Sequence, residues 1–270
     1  MRSAEHFRAR YGPWALVAGG SDGLGAAFAE RIAGLGLNLV LVARRQGPLQ
    51  ETAARLRSLG GIEVRALSLD LSDPDFLAVL QRRTRGLEIG LLVCNAAAAH
   101  TAPFLEADPR DYLPLLDTNC RAPLWLVRWL GEQMAARRRG GIIVMTSMSA
   151  FQGSPFVTVY AATKAFLLNL AEGAGSELEP FGVDVLACAA GPIRTPNYLS
   201  STESNTRPKA LEMEPGEVAR AALRGLGRRS LVVPGLLNRL AMHVMGRLLP
   251  RSAAVRLIAR STRAMYGGKE

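Results

Sequence analysis

The stretch WALVAGGSDGLGAAFAERIAGLG, residues 14–36, begins as an apolar run, breaks at glycines and resumes as an amphipathic helical pattern. WALVAGG (14–20) reads as a buried strand entering a glycine-rich turn, and GAAFAERIAGLG as the helix that follows. Gly19, Gly23 and Gly25 are spaced GxxxGxG. Glycines let the backbone turn tightly and let a pyrophosphate approach the first N–H groups of the next helix. There the helix dipole favours an anion. The spacing departs from the usual GxGxxG fingerprint but keeps its physics. Gly19, Ser21, Asp22, Gly23, Leu24 and Gly25 are thus candidate dinucleotide contacts. The plain alternative is an ordinary strand-to-helix turn.

Working outward, six more apolar runs have strand character: 37–45, 62–71, 87–97, 140–149, 182–192 and a short one at 229–235. Helical patterns lie between them, the longest at 108–138 and 158–180. Apolar strands alternating with helices predict an α/β fold with a parallel sheet covered on both faces. No repeat or linker divides the chain, so 1–270 reads as one domain, with a polar loop at 196–216 and a helical extension at 236–270. Ligands in such folds bind beyond the carboxyl ends of the strands. After the second strand stand Arg44 and Arg45, where an acid would accept from a ribose 2′-OH. Arginine there suits a 2′-phosphate instead; the alternative is a solvated basic loop. After the third come Asp70 and Leu71. Asp70 either accepts from an adenine amine or shapes the turn before Ser72-Asp73-Pro74. After the fourth, Asn95 and Ala96 lie in a turn.

The composition narrows the function classes. With 49% hydrophobic residues in 270, the chain can bury a sizeable core, which argues against disorder. Cys94, Cys120 and Cys188 are odd in number and widely spaced. They read as reduced thiols of a cytoplasmic protein. The three histidines are scattered, so no metal site is expected. The N-terminal MRSAEHFRARYG has no apolar core for a secretory signal, and no run approaches the length of a membrane span. The charge of +10 is uneven: residues 221–270 hold ten basic residues and one acid, a net +9. Only three of the 33 basic residues are lysines, Lys164, Lys209 and Lys269.

One of those lysines lies in VYAATKAF (159–166), four residues after Tyr160. On a helix that spacing stacks the two side chains on one face. A packed tyrosine beside a solvated lysine is the ordinary reading. Ser147 precedes Tyr160 by thirteen residues, and Asn119 precedes Ser147 by twenty-eight. Each has a bland reading alone: helix packing or a kink for Asn119, a strand-end hydroxyl for Ser147, an N-cap or turn for Thr195.

Together with Gly191-Pro192-Ile193-Arg194-Thr195, these residues resemble, in order and spacing, the short-chain dehydrogenase/reductase family over about residues 12–235. YGPWALVAGGSDGLGAAFAE is most similar to the branch of hydroxysteroid dehydrogenases and 3-ketoacyl-CoA reductases. The resemblance implies a Rossmann-type fold with a seven-stranded parallel sheet and an NADP(H)-dependent exchange of ketone and secondary alcohol. It makes Tyr160 the general acid/base, and Lys164 its partner and a contact of the nicotinamide ribose. Ser147 would hold the substrate oxygen, and Asn119 would place a water in a proton relay. Thr195 and the Ile193 backbone would meet the carboxamide, and Arg44 would favour NADP(H) over NAD(H). It also implies a homodimer or homotetramer formed through 108–138 and 158–180. Three positions depart from the family's pattern: Ala18 for Thr, Cys94-Asn95-Ala96-Ala97 for Asn-Asn-Ala-Gly, and Ala190 for Pro. They alter packing near the cofactor, not the reacting groups.

A free phenol has a pKa of about 10, and a cation within about 4–6 Å can lower it by a unit or more. Lys164 is expected to do so for Tyr160. Tyr198, Leu199, Leu211 and Met213 are candidate apolar lining for a hydrophobic substrate, steroid-like or long-chain acyl. The tail, two helical patterns broken at Pro250, has three readings. It is a packed pair with a solvated basic face, an attractor for an anionic membrane surface, or one for an acidic substrate such as a CoA thioester. It lacks interleaved aromatics and any recognised module, which argues against nucleic acid. The rival from another class is a catalytically idle dinucleotide-sensing or scaffold protein on the same fold.

Overall fold

The computed structural model describes residues 4–201 and 207–266. Seven strands form one sheet: β1 (Trp14–Ala18), β2 (Asn38–Ala43), β3 (Val64–Ser68), β4 (Ile89–Cys94), β5 (Gly140–Ser147), β6 (Val183–Ala190) and β7 (Leu231–Val232). Their order is β3-β2-β1-β4-β5-β6-β7 and every pairing is parallel. This is the Rossmann-type sheet that the resemblance implies. The strands are apolar on both sides because both faces are covered. On one face β1 and β2 pack with Phe28, Leu49 and Val218; on the other with Phe76, Leu126 and Leu167.

The covering helices are α1 (Ala4–Tyr11), α2 (Gly23–Ala33), α3 (Gln46–Ser58), α4 (Phe76–Arg83), α5 (Leu113–Leu116), α6 (Ala122–Ala136), α7 (Thr158–Leu178), α8 (Pro196–Ser201), α9 (Pro215–Gly225), α10 (Leu236–His243) and α11 (Arg251–Tyr266). Each apolar run outlasts its strand by two or three residues, and those residues become the loops at the carboxyl edge. The winding reverses between β1 and β4, so the loops after these two strands flank the crevice where such folds take ligands.

The helical stretch 108–138 is not one regular helix. A 3-10 turn (Pro109–Tyr112), α5, a π-helical turn (Asp117–Arg121) and α6 follow one another. Pro123 has no N–H to give to the Asn119 carbonyl, so the α-helical ladder cannot run through this point. The Ala122 N–H bonds Asp117 O in the π register instead. α1 was not expected from so polar a segment. Its Phe7 and Tyr11, one turn apart, are both buried. The Tyr11 hydroxyl and Arg10 Nε both donate to Asp184 Oδ2, each at 2.6 Å. Burial and the Asp184 carboxylate push the Tyr11 phenol well above its ordinary value.

The polar loop 196–216 carries α8 and a 3-10 turn at Lys209–Leu211, and Ile193 makes a β-bridge with Met213. Residues 202–206 of that loop lie outside the described residues. The tail breaks at Pro250, as expected: α10 and a π-helical turn (Val244–Leu248) precede it and α11 follows. Among the described residues no helix is long and apolar enough to cross a membrane. The three cysteines are free, Cys94 and Cys188 buried and Cys120 partly so.

Candidate active site

The turn after β1 is stitched to its neighbours by main-chain bonds. The Gly19 and Gly20 N–H groups donate to Val42 O at 2.7 and 3.1 Å, and those of Asn95 and Ala96 to Ala18 O at 3.1 and 2.7 Å. Asn95 Nδ2 donates to Gly19 O at 3.0 Å, which gives that side chain a definite structural task. At Gly19, φ is +84° and a Cβ would stand 2.7 Å from the Ala96 backbone; at Gly25 a Cβ would stand 1.7 Å from Gly19 O. Only glycine fits at either position. Ser21 is buried, and its carbonyl accepts from Thr52 Oγ1 at 2.8 Å. Asp22 occupies the N-cap of α2 but makes no side-chain bond to the helix. Its carboxylate pairs with Arg45 instead, so Arg45 is tied to the turn. Leu24 and Leu71 are buried apolar residues.

Arg44 is well exposed and reaches Asp70 Oδ2 at 3.8 Å. Asp70 Oδ1 accepts from Ser72 N at 2.9 Å and Ser72 Oγ at 2.7 Å. Burial works against its charge, yet these bonds and Arg44 hold the carboxyl below its ordinary range. Asp70 therefore does shape the turn. The cradle that a Cβ would fill and the helix N-terminus without a side-chain cap together fit the pyrophosphate of a nicotinamide dinucleotide.

Ser147 ends β5, its backbone paired with Ala190. Its Oγ accepts from Ser149 N at 3.2 Å and Ser149 Oγ at 3.0 Å, and its own hydroxyl hydrogen-bonds the Tyr160 phenol. Lys164, one turn along α7, is 3% exposed. Its Nζ donates to Met145 O at 3.2 Å and stands 5.5 Å from the centre of the Tyr160 ring. The expected lowering of the phenol is not found. Burial pushes Tyr160 up to about 12, against a smaller opposing effect of the Ser147 hydrogen bond. The ammonium sits over the ring face rather than beside the hydroxyl. Burial in turn pushes Lys164 down to about 8, opposed by the neighbouring Cys120 and Cys94 thiols. At neutral pH the amine still carries its proton.

Asn119 is fully buried in the π-helical turn. Its Oδ1 accepts from Ala98 N and its Nδ2 donates to Ala98 O, both at 2.8 Å, and Nδ2 also reaches Thr163 Oγ1 at 3.1 Å. Thr163 Oγ1 donates to Tyr160 O at 2.7 Å. The side chain thus clamps the loop after β4 to the turn of α7 that bears Tyr160. Both of its amide hydrogens are committed, and its main-chain carbonyl has no α-helical partner at Pro123.

Thr195 Oγ1 accepts from Tyr198 N at 3.3 Å, so it starts α8. Its methyl group would touch a Cβ on Gly23 at 3.0 Å, which places Thr195 over the glycine turn. Ile193 is held beside it: Arg194 N donates to Met213 O and Met213 N to Pro192 O, both at 3.0 Å.

The expected apolar lining is more polar than its sequence suggests. The Tyr198 hydroxyl donates to Glu212 Oε1 at 3.4 Å, and the nearly buried Glu212 carboxylate also takes Arg194 Nη1 at 3.1 Å and Arg207 Nε at 3.9 Å. The Met213 side chain packs against the core, and Leu199 is exposed. Two residues that spacing did not single out come to the site from the tail. Tyr266 lies close enough to raise the Tyr160 and Tyr198 phenols. Asn238, deeply buried, donates Nδ2 to Leu211 O at 3.2 Å. No motif signals either; both arrive by tertiary packing. Among the described residues no cluster of three potential metal ligands occurs.

Comparison with known proteins shows the family. Residues 13–206 match the family model for short chain dehydrogenase. A 7beta-hydroxysteroid dehydrogenase of Clostridium sardiniense is 31% identical over 234 residues, covering 87% of this chain and 90% of that one. A very-long-chain 3-oxoacyl-CoA reductase of Phaeosphaeria nodorum is 34% identical over 224 residues, 80% of this chain and 64% of that longer one. The solved structure of a short-chain dehydrogenase from Sphingobium yanoikuyae in complex with NADPH superposes with a TM-score of 0.76 at 35% identity, covering 83% of this chain and 88% of that one.

Proposed function

The chain belongs to the short chain dehydrogenase family, and on that premise we propose that it interconverts a ketone and a secondary alcohol on a lipophilic substrate, with NADP(H) preferred over NAD(H). The observation that carries this reading is the meeting of Ser147, Tyr160 and Lys164 at the carboxyl end of β5.

A bound nicotinamide dinucleotide would supply or accept the hydride. The protein's part is position and charge. Ser147 hydrogen-bonds the substrate oxygen, where negative charge grows during reduction. Tyr160 gives its proton to that oxygen. A phenol held near 12 keeps its proton at neutral pH, so it is loaded as an acid before reaction. Lys164, protonated below about 8, stands ready to steady the phenolate once the proton has left. The Asn119 carbonyl, without an α-helical partner at Pro123, is the natural anchor for a water that returns the proton. Thr195 and the Ile193 backbone would meet the carboxamide, and Gly19, Gly23 and Gly25 would let the pyrophosphate approach. Arg44 supports the NADP(H) preference because it is exposed, cationic and next to the strand-two carboxyl edge.

A 3-oxoacyl thioester is the second substrate reading. It draws on the 34% identity to the 3-oxoacyl-CoA reductase and on the basic tail. Leu113, Leu116, Trp125 and Phe166 are exposed along α5, α6 and α7, which supports self-association through these helices.

The test is NADPH consumption with a panel of bulky ketones and 3-oxoacyl thioesters; no turnover with any of them would favour the idle sensing or scaffold protein. Arg44→Asp should weaken NADPH binding at least tenfold more than NADH binding. Equal losses would remove the cofactor preference.

A further inference from the structure

α10 is built the wrong way round for a helix facing water. It buries its asparagine and exposes its leucines. Asn238 is 2% exposed, whereas Leu236, Leu237 and Leu240 are 73%, 52% and 57% exposed. The inward asparagine is a tether: Nδ2 donates to Leu211 O, and a Cβ on Gly191 would come within 2.8 Å of its amide. The orientation of α10 is therefore fixed by the loop after β6, and the leucines face outward as a consequence.

The charge carried by the tail itself is of one sign. Between Glu217 and Glu270 the chain has no acid. Arg239, Arg247, Arg251, Arg256, Arg260 and Arg263 are all exposed. Among the described residues none of them has a carboxylate within ion-pair distance. Exposed leucines on a tail whose exposed arginines have no ion-pair partner among the described residues match the makeup of helices that lie in the headgroup region of anionic bilayers. A second copy of the same surface would bring two strongly positive faces together, which charge opposes.

We propose that α10 and α11 form a docking surface for anionic membranes, with Leu236, Leu237 and Leu240 entering the interface and the arginines meeting lipid phosphates. The surface is tied to elements of the site. Asn238 holds the loop that ends at Met213, and Tyr266 at the end of α11 stands near Tyr160 and Tyr198. A docked protein would open its site towards the bilayer.

The experiment is co-sedimentation of the full chain with phosphatidylcholine vesicles and with vesicles containing phosphatidylglycerol, at low and high salt. It needs neither cofactor nor substrate, so its outcome is separate from that of the oxidoreductase reading. Binding is expected only to the anionic vesicles and should fall steeply with salt. Arg239→Gln and Arg247→Gln should each weaken it about fivefold. Replacing Leu236, Leu237 and Leu240 together by serine should weaken it about a hundredfold or more, with thermal unfolding unchanged. Absence of binding to anionic vesicles at low salt would overturn the proposal. So would binding that neither set of substitutions alters, or a leucine variant whose main effect is to reduce the oligomer size, since a second copy would then be what covers the patch.

Discussion

Replacing Lys164 with methionine should make the protein more stable at neutral pH while abolishing its chemistry. The amine is 3% exposed and donates one hydrogen bond, to Met145 O at 3.2 Å. Burial lowers its pKa from an ordinary 10.5 to about 8. At about 1.4 kcal/mol for each pH unit, holding the charge inside costs about 3 kcal/mol. The lost hydrogen bond gives back about 1 kcal/mol. The variant should therefore exceed the wild type by about 2 kcal/mol at pH 7. The sign with pH follows from proton binding. Below about pH 8 the amine is protonated in the folded and unfolded chains alike, and the cost is present in full. Between about 8 and 10.5 the folded chain releases its proton first, the unfolded chain binds more protons, and wild-type stability rises with pH relative to the variant. By about pH 10.5 the wild type should be the more stable by about 1 kcal/mol. Cys94 and Cys120, which the Lys164 charge pulls down, titrate higher in the variant; groups that Lys164 does not touch titrate alike in both proteins and cancel in the difference. Urea unfolding of both proteins at a series of pH values measures it. A difference that stays flat from pH 7 to 10.5 would refute the reasoning, because it would mean the ammonium is not held against desolvation.

Two further substitutions probe the architecture. Gly25→Ala should cost about 2–4 kcal/mol and weaken cofactor binding, since its Cβ would meet Gly19 O at 1.7 Å; Gly173→Ala, with nothing within 4 Å on an exposed turn of α7, should instead gain about 0.5–1 kcal/mol. Thermal and urea unfolding of the pair read both signs, and a Gly25 variant as stable as the wild type would contradict the account of the turn. Tyr11→Phe should cost about 1–3 kcal/mol by taking a donor from Asp184, and should leave dinucleotide affinity unchanged, as titration would show.

The sheet was legible because each buried parallel strand is a continuous apolar run, and the glycine turn because 14–36 places it directly after such a run. Strand ends were overextended by two or three residues, since the loops at the carboxyl edge are themselves apolar where they pack. α1 was missed because only Phe7 and Tyr11 carry its pattern. The break in 108–138 could have been read from Pro114 and Pro123, each of which removes a ladder N–H. Spacing brought Tyr160 and Lys164 to one face, but it does not say where on the ring the ammonium stands. The phenol's pKa therefore moved opposite to expectation. The tail's contribution through Asn238 and Tyr266 depends on long-range packing, which no local pattern records.

The most direct test of the account is ketone-dependent NADPH oxidation by the wild type and by Tyr160→Phe, with NADPH binding titrated for both. The account predicts unchanged binding and a loss of turnover of about a hundred- to ten-thousandfold, because the phenylalanine has no proton to give. Equal turnover of the same ketone by the two proteins would contradict it.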